Sequence, residues 1–597
     1  MNDQRAGAGD EDPWEPFVAA VVAALDPALR AEGIALTLDA LRTQLELEPG
    51  PQGELAFPMH RHAAGAHRPP AELAASIVPR LGPIPGIQTA RATGAYVNFA
   101  VDPAALITAT FNRVFGRGAA YGHGPVRAGA ACVEHTSANA TGPFHIGRVR
   151  NAIIGDTFAR TLRAAGEPVT TQYYVDDMGR QAAMITWIWS KPREQWPETI
   201  RAAVDGHELP CEKPDAHHGR PYPAVSAYLK ENEDARTEVA DLVREIESGT
   251  PPPQHREWTQ RILDGMLASL ARLGISFDEF VWESDFLRDG SVARVLDRLA
   301  RTPHAVTEEN GALAVDATEY GLPKESGRIV VRRANGTSLY VTRDVAYHLA
   351  KFARFDRVID VLGQDHRLHA RTLDALLAEI GEARRPEFVI YQDITVPEGG
   401  RMSTRGGSAV WLDQLLEEAV TRARREVLAR REGLSDAEVD RIAEAVATGA
   451  IRFHIVRVAP EKPVTFRWED ALSFEGRSGP FVQYAYARAA SVLRKGDAKA
   501  PPYSYEAHRL TLADELDLVR TIASLPRTVA YVARSSHVQS LAGYAHEVAD
   551  RFNRFYHAAP VLKAEAERAS RIALVAATHR TLGNTLDLLG VARLESM

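Results

Sequence analysis

Cysteine is almost missing from this sequence: Cys132 and Cys211 are the two in 597 residues. Two thiols cannot build a disulfide framework, and the reading is a reducing cytoplasm. Long apolar runs are missing too. Nothing approaches the ~18 consecutive apolar residues of a membrane span. The opening MNDQRAGAGDEDPWEP has neither the basic region nor the apolar core of a secretory signal. There is no basic excess either. The formal charge is −8, so composition does not advertise a nucleic-acid partner, although local charge is what decides that. Internal repeats are absent, which excludes solenoids and propellers. CEKPDAHHGR gathers Cys211, His217 and His218, but in no zinc-site spacing. It reads as a solvated loop, and no structural metal is expected.

What is present is a change of pattern along a chain long enough for several domains. Residues 1–120 form a first unit. PFVAAVVAALDPAL is an amphipathic helix, and GAYVNFAVDPAAL is a strand running into a helix. Glycine-rich GRGAAYGHGP follows as a linker. From residue 126 strands alternate with helices. AACVEHTS is a strand, GRVRNAIIGDTFARTLRAAG a helix stopped at Gly166, and PVTTQYYVDD the next strand. This is a βαβ unit, hence a parallel sheet that binds ligands at the carboxyl ends of its strands. The unit extends to about residue 400, with a helical insertion over about 185–275. Strands resume with RIVVRRANGTSLYVTRD, RVIDVLG and EFVIYQDITV. Residues 401–470 read as a loop and helical connection, and 471–597 as an all-α bundle. The basic run RARREVLARR, Arg422 to Arg431, reads as a solvated helix face. The fold class is therefore multidomain α/β, with a Rossmann-like parallel-sheet core between an α+β and an all-α unit.

Two stretches carry chemistry. GPFHIGRVRNAIIGD, Gly142 to Asp156, starts a helix at a strand's carboxyl end. Free N–H groups and the helix dipole make such a terminus an anion site. Gly147 lets a ligand approach the backbone, and His145, Arg148 and Arg150 add donors or charge. PEGGRMSTRGGSAV, Pro397 to Val410, sets Arg401 and Arg405 between two glycine pairs, Gly399-Gly400 and Gly406-Gly407. Glycine on both sides permits a moving loop whose arginines close on a leaving pyrophosphate.

HIGR followed by RMSTR resembles the two signature motifs of class I aminoacyl-tRNA synthetases. VEHTSANATGPFHIGRVRNAIIGDTFARTL, YYVDDMGRQ, SLYVTRDVAYHL, EGRSGPFVQYAYARAASVL and the ending RFNRFYHAAPVLKAE…LDLLGVARLESM resemble arginyl-tRNA synthetases, in order and over nearly the whole chain. The resemblance implies ATP-dependent ligation of L-arginine to tRNA(Arg) through an arginyl-adenylate, with Mg²⁺ arriving on ATP, in a monomer. It makes the first unit a binder of the tRNA elbow and the last a binder of the anticodon.

Residue by residue, the resemblance places Glu134, Asn139, Tyr340, Asp344 and His366 around arginine, whose guanidinium is a planar fork of donors suited to carboxylates. His145, Gly147 and Arg148 match the ATP motif, and Arg401, Met402, Ser403 and Arg405 the second motif. Tyr96 and Asn98 match the elbow-gripping segment. Gln483, Tyr484 and Arg488 are the candidates for the anticodon. Three departures stand out. Arg148 replaces a histidine, Thr404 a lysine, and Gly406 the basic residue that often follows. They motivate two other readings: a non-catalytic tRNA- or arginine-binding paralogue, and a duplicate synthetase with a biosynthetic or resistance role. The complete arginine set and His145 favour the active ligase.

Overall fold

The computed structural model describes residues 11–50, 52–205, 213–395, 411–498 and 503–597. Its centre is a five-stranded sheet, all parallel, in the order Glu387–Tyr391, Arg357–Gly363, Ala131–Glu134, Val169–Val175, Glu279–Trp282. The chain winds one way from the central strand Ala131–Glu134 through Val169–Val175 to Glu279–Trp282. It then returns to the other side of that central strand. The order thus reverses at the carboxyl ends of Ala131–Glu134 and Arg357–Gly363, where such sheets open a crevice for ligands. The helix Ile146–Ala164 follows the central strand. It is buried over most of its length, and Gly166 ends it with a left-handed backbone at φ 91°.

The sequence YVTRD, read above as the end of a strand, is helical. Arg328–Arg332 belongs to a separate three-stranded antiparallel sheet, and the helix Tyr340–Arg354 begins eight residues later. Val341, Val345 and Phe352 recur at helical spacing and are buried on one face. The Thr342 hydroxyl donates to the Val331 carbonyl at 2.7 Å, fixing strand to helix. This helix crosses the sheet over a polar row. In register across three neighbouring strands stand Asp360, Glu134 and Gln172. The helix answers each of them, Lys351 meeting both carboxylates and Tyr347 meeting Gln172.

The first unit is α+β. Helices Glu15–Arg30 and Pro103–Arg117 accompany a four-stranded antiparallel sheet that ends with Tyr96–Val101 beside Ile87–Thr93. The stretch read as a linker is clamped. The Tyr121 hydroxyl donates to Ile522 O at 2.7 Å, and Asn584 Nδ2 donates to Gly118 O and Tyr121 O. Beyond residue 411 the described chain is nearly all helical, from Leu412–Arg430 to Arg568–Leu589. The run Arg422–Arg431 is a paired surface face: Arg422 meets Glu418, Arg424 meets Asp436 and Asp440, and Arg430 meets Glu426. His217 and His218 are not a solvated loop. They lie in the short helix Pro214–Gly219 against Trp189, with ring centroids 5.3 and 4.8 Å away.

One buried cation joins the layers. Arg452 is fully buried and donates to Leu589 O and Leu273 O at 2.7 Å each, while its Nη2 pairs with Asp156 of the helix Ile146–Ala164. Breaking a buried pair on one side typically costs about 3–5 kcal/mol, because the remaining charge stays in low dielectric. Arg452→Met should therefore lower the urea midpoint of the full chain sharply, whereas Arg424→Met on the exposed face should leave it unmoved.

Candidate active site

His145 is the N-cap residue of the helix Ile146–Ala164. Its Nδ1 accepts the Gly147 N–H at 3.0 Å. A Cβ at position 147 would stand 2.9 Å from that nitrogen, so only glycine leaves the imidazole its place. The space above Gly147 thus holds the chain's own histidine rather than an approaching ligand. Burial, then the charge of Arg148, lowers the His145 pKa. The neutral ring accepts at Nδ1 and so carries its proton at Nε2, a hydrogen-bond donor rather than a cation. Arg148 is exposed on the first turn. Arg150 does not join it. Its guanidinium is fully buried and donates to the carbonyls of Gln392, Lys462 and Ala459 at 2.6, 2.7 and 2.8 Å. Spacing along the helix explains this: two residues past Arg148 is the opposite face.

The second signature stretch, with Arg401, Met402, Ser403, Thr404, Arg405 and Gly406, lies outside the described residues, as does Cys211. Trp411, just beyond that stretch, forms an antiparallel bridge with His145. The Leu412 N–H donates to Phe144 O at 2.7 Å.

A cavity of about 580 Å³ opens at the strand-order reversal. Glu134, Asn139, Arg148, Tyr340, Asp344 and His366 all line it. A second cavity of about 380 Å³ adjoins it, lined by His145, Gln181, Tyr222 and Trp411, and the two share Asn139 and Arg148. Asn139 donates to Gln181 at 2.7 Å. Tyr340 is 60 % exposed at the mouth, its ring 5.3 Å from that of His369.

Sequence reasoning missed what connects these residues. Glu134 accepts from Lys351 at 2.6 Å, and Lys351 donates to Asp360 at 2.7 Å. Asp360 meets His348 Nε2 at 2.7 Å, and His348 Nδ1 meets Asp344 at 3.0 Å. Asp344 then meets His369 Nε2 at 2.6 Å. The middle of this chain is sealed, with Lys351, His348 and Asp360 side chains at most 4 % exposed. Its ends, Glu134 at 12 % and Asp344 at 19 %, open to the cavity. Two signals were available: Asp360 interrupts the apolar strand RVIDVLG, and Asp344, His348 and Lys351 share a helix face by their spacing. Glu283 was missed too. It is buried beside Arg343 and Asp176 at the cavity wall, and burial followed by the Asp176 carboxylate pushes its carboxyl up to about 8 against the pull of Arg343.

Among the tRNA candidates two are corrected. Gln483 is fully buried, and its Nε2 donates to Ala445 O and Ala592 O at 3.1 and 3.0 Å. It faces inward, while Tyr484 and Arg488 share the outer face four residues apart. The Arg488 guanidinium stacks 4.7 Å from the Tyr484 ring and 5.2 Å from that of Tyr556. Asn98 is buried on the middle of its strand, 9 % exposed. Tyr96 is half-buried, edge-on to His60. The two are not an open base-reading pair.

Comparison with known proteins shows the lineage of the chain. A family described as tRNA synthetases class I (R), catalytic domain, matches residues 126–460, and the DALR anticodon binding domain matches residues 482–597. The arginine–tRNA ligase of Methanocella arvoryzae is 43 % identical over 536 residues, 88 % of this chain and 91 % of that one. That of Methanothermobacter thermautotrophicus is 41 % identical over 93 % of this chain and 95 % of its own. The solved arginyl-tRNA synthetase of Thermus thermophilus superposes with a TM-score of 0.79 at 29 % identity, covering 97 % of this chain and all of that one. The chain belongs to the arginyl-tRNA synthetase family. Its function is tRNA aminoacylation in translation, and the α+β, parallel-sheet and helical units are those of this class I ligase.

In this synthetase the charge chain sets a stability window. Burial and the Lys351 charge depress His348, but Asp360 and Asp344 outweigh them and raise it from 6.5 to about 10. Burial raises Asp344, yet His348 and His369 hold its carboxyl well below the ordinary range. A raised folded-state pKa contributes stability in full below pH 6.5 and loses it as pH rises toward 10. A lowered carboxylate loses its contribution in acid. Wild type should lose about 1.4 kcal/mol per pH unit from His348 in the alkaline range. His348→Asn should lack that slope, as read by urea unfolding at pH 7, 8 and 9.

Proposed function

We propose that the chain activates L-arginine with ATP and passes it to the 3′ end of tRNA(Arg) through an arginyl-adenylate. The observation that carries this reading is a buried charge chain that opens into one cavity at two carboxylates, beside a helix N-terminus capped by His145. Arginine has two cationic ends. The reacting end must lie toward His145 and Arg148, on the Asn139 side where the two cavities join. Glu134 is tied to Ser137 at 2.9 Å, two residues from Asn139, and so suits the α-ammonium. Asp344, with Tyr340 above it and Glu283 on the same wall, suits the guanidinium, where planar bidentate pairing selects arginine over lysine. His366, 40 % exposed at the rim, we assign to nucleotide rather than to the arginine side chain.

In the first step an arginine carboxylate oxygen attacks the α-phosphorus of ATP. The bond to the bridging oxygen breaks, and pyrophosphate leaves with its Mg²⁺. The helix N-terminus, the His145 Nε2–H and the Arg148 guanidinium meet charge that builds on the α-phosphate. The resemblance assigns charge on the leaving pyrophosphate to Arg401 and Arg405, and nucleotide binding to Met402 and Ser403, all outside the described residues. In the second step a terminal ribose hydroxyl of tRNA attacks the adenylate carbonyl, and AMP leaves. Tyr484, Arg488 and Tyr556 form the anticodon-facing platform, since stacked aromatic rings with an arginine suit unstacked bases. Tyr96 is the elbow contact. The enzyme works in the cytoplasm as a monomer. Among the described residues no helix is long and apolar enough to cross a membrane.

Two kinetic classes should separate. Asp344→Asn and Glu134→Gln remove ground-state contacts and should raise the KM for arginine about a hundredfold or more, with the KM for ATP unchanged. His145→Ala and Arg148→Ala remove transition-state contacts and should lower kcat for adenylate formation about 10²–10³-fold, with little effect on ATP affinity. Pyrophosphate exchange in the presence of tRNA measures both. An unchanged arginine KM in both carboxylate variants would exclude the assignment.

A further inference from the structure

The charge chain already balances without substrate. Glu134, Asp360 and Asp344 contribute three negative charges, and Lys351, His348 and His369 can answer with three positive ones. Arginine carries two cationic groups and one carboxylate, so it enters with one net positive charge. A charge chain that is neutral before arginine arrives must either carry that excess in low dielectric or release a cation. The outgoing proton is the available one.

The three cations of the chain are held very differently. Lys351 is sealed and donates to two carboxylates. His348 is 2 % exposed and has a carboxylate on each ring nitrogen, Asp360 at 2.7 Å and Asp344 at 3.0 Å. Among the described residues His369 has one anionic partner, Asp344 at 2.6 Å through Nε2. Its Nδ1 is buried and has no hydrogen-bond partner among them. The ring is 20 % exposed at the cavity edge, on the first turn of the helix Arg367–Glu379. The proton on Nδ1 is therefore held chiefly by the field of Asp344, and Asp344 is the carboxylate assigned above to the guanidinium.

We propose that His369 is a positioning residue that holds Asp344 as an imidazolium in the empty site and gives up its Nδ1 proton when arginine binds. The inference rests on Asp344 taking the guanidinium. The step balances simply: the Nδ1–H bond breaks, its electron pair stays on nitrogen, the proton goes to solvent, and arginine enters with its own charge intact. The neutral ring keeps Nε2–H and can still donate to Asp344, because each carboxylate oxygen has two acceptor positions. The influences on His369 oppose one another, and the carboxylates prevail. Burial lowers its pKa, and the Asp344 hydrogen bond and charge raise it above the ordinary value. Asp360 adds to the rise, and His348 on the facing helix opposes it. His366, 6.3 Å away ring to ring, has its own pKa lowered by burial. Tyr340 covers the ring from the mouth, and Arg148 and Asp365 line the same cavity farther along. The guanidinium offsets the largest interaction that favours the imidazolium and adds a repulsion.

Isothermal titration of the full chain with L-arginine tests this in buffers of low and high ionisation enthalpy, such as phosphate and Tris, between pH 6 and 8. Wild type should release close to one proton per arginine at the acid end. Its Kd should fall about tenfold per pH unit there and level off above the His369 pKa. His369→Asn should bind arginine with no proton release and no pH slope. Binding by wild type with buffer-independent enthalpy would overturn the inference, and so would proton release that persists in His369→Asn. Asp344→Asn separates the two layers. If it keeps wild-type arginine affinity, the guanidinium assignment itself fails. If it loses affinity while wild type releases no proton, the assignment stands and the role of His369 falls.

Discussion

Everything at the site hangs on Lys351. Glu134 and Asp360 stand side by side in register on adjacent parallel strands, and two carboxylates so placed in a sheet interior would repel. One ammonium donating to both at 2.6 and 2.7 Å removes that conflict. It also fixes the helix Tyr340–Arg354 across the carboxyl ends of the strands, and the helix carries Tyr340 and Asp344 to the cavity. The charges that dock the helix present their outer ends to the cavity. Such an arrangement is strongly held only while every member is satisfied, since low dielectric strengthens a complete network and penalises a broken one.

The helix Ile146–Ala164 brings in the second half of the chemistry. Its N-terminus is capped by His145, so on the function proposed above capping and phosphate recognition use one side chain. Its next turn is tied by Arg150 to carbonyls near Gln392 and Ala459, segments that lie on either side of the second signature stretch in sequence. The bridge from His145 to Trp411 fastens the chain beyond that stretch. The first motif and the described segments flanking the second thus share one anchor. With neutral His145 as a donor, the fixed positive charge at this helix start rests on Arg148. That gives the departure from the usual histidine a physical role: the motif here combines one neutral donor with one permanent cation.

The order of elements, the parallel sheet and the helical C-terminal unit were legible because apolar periodicity is a local property of the chain. The helix beginning at Tyr340 was misread because Val, Thr and Tyr favour strands, and the preceding Arg328–Arg332 is one. Burial of Val341, Val345 and Phe352 on one face overrode that preference. Gln483 and Asn98 were chosen by motif and proved to be interior. Residue type does not say which face of an element turns inward when polar side chains find backbone or interior partners.

By itself the sequence determined the family and the fold class, and it nominated candidate groups for arginine and ATP, because these reside in residue identity and local spacing. Only the tertiary structure decided which of those groups are linked. Glu134, Asp344, Lys351, Asp360, His348 and His369 come from two strands and two helices, and no spacing along the chain encodes their contact. Their charges and proton affinities are set by burial and by partners a few ångströms away. Those quantities exist only once the strands lie in register and the helix has crossed them.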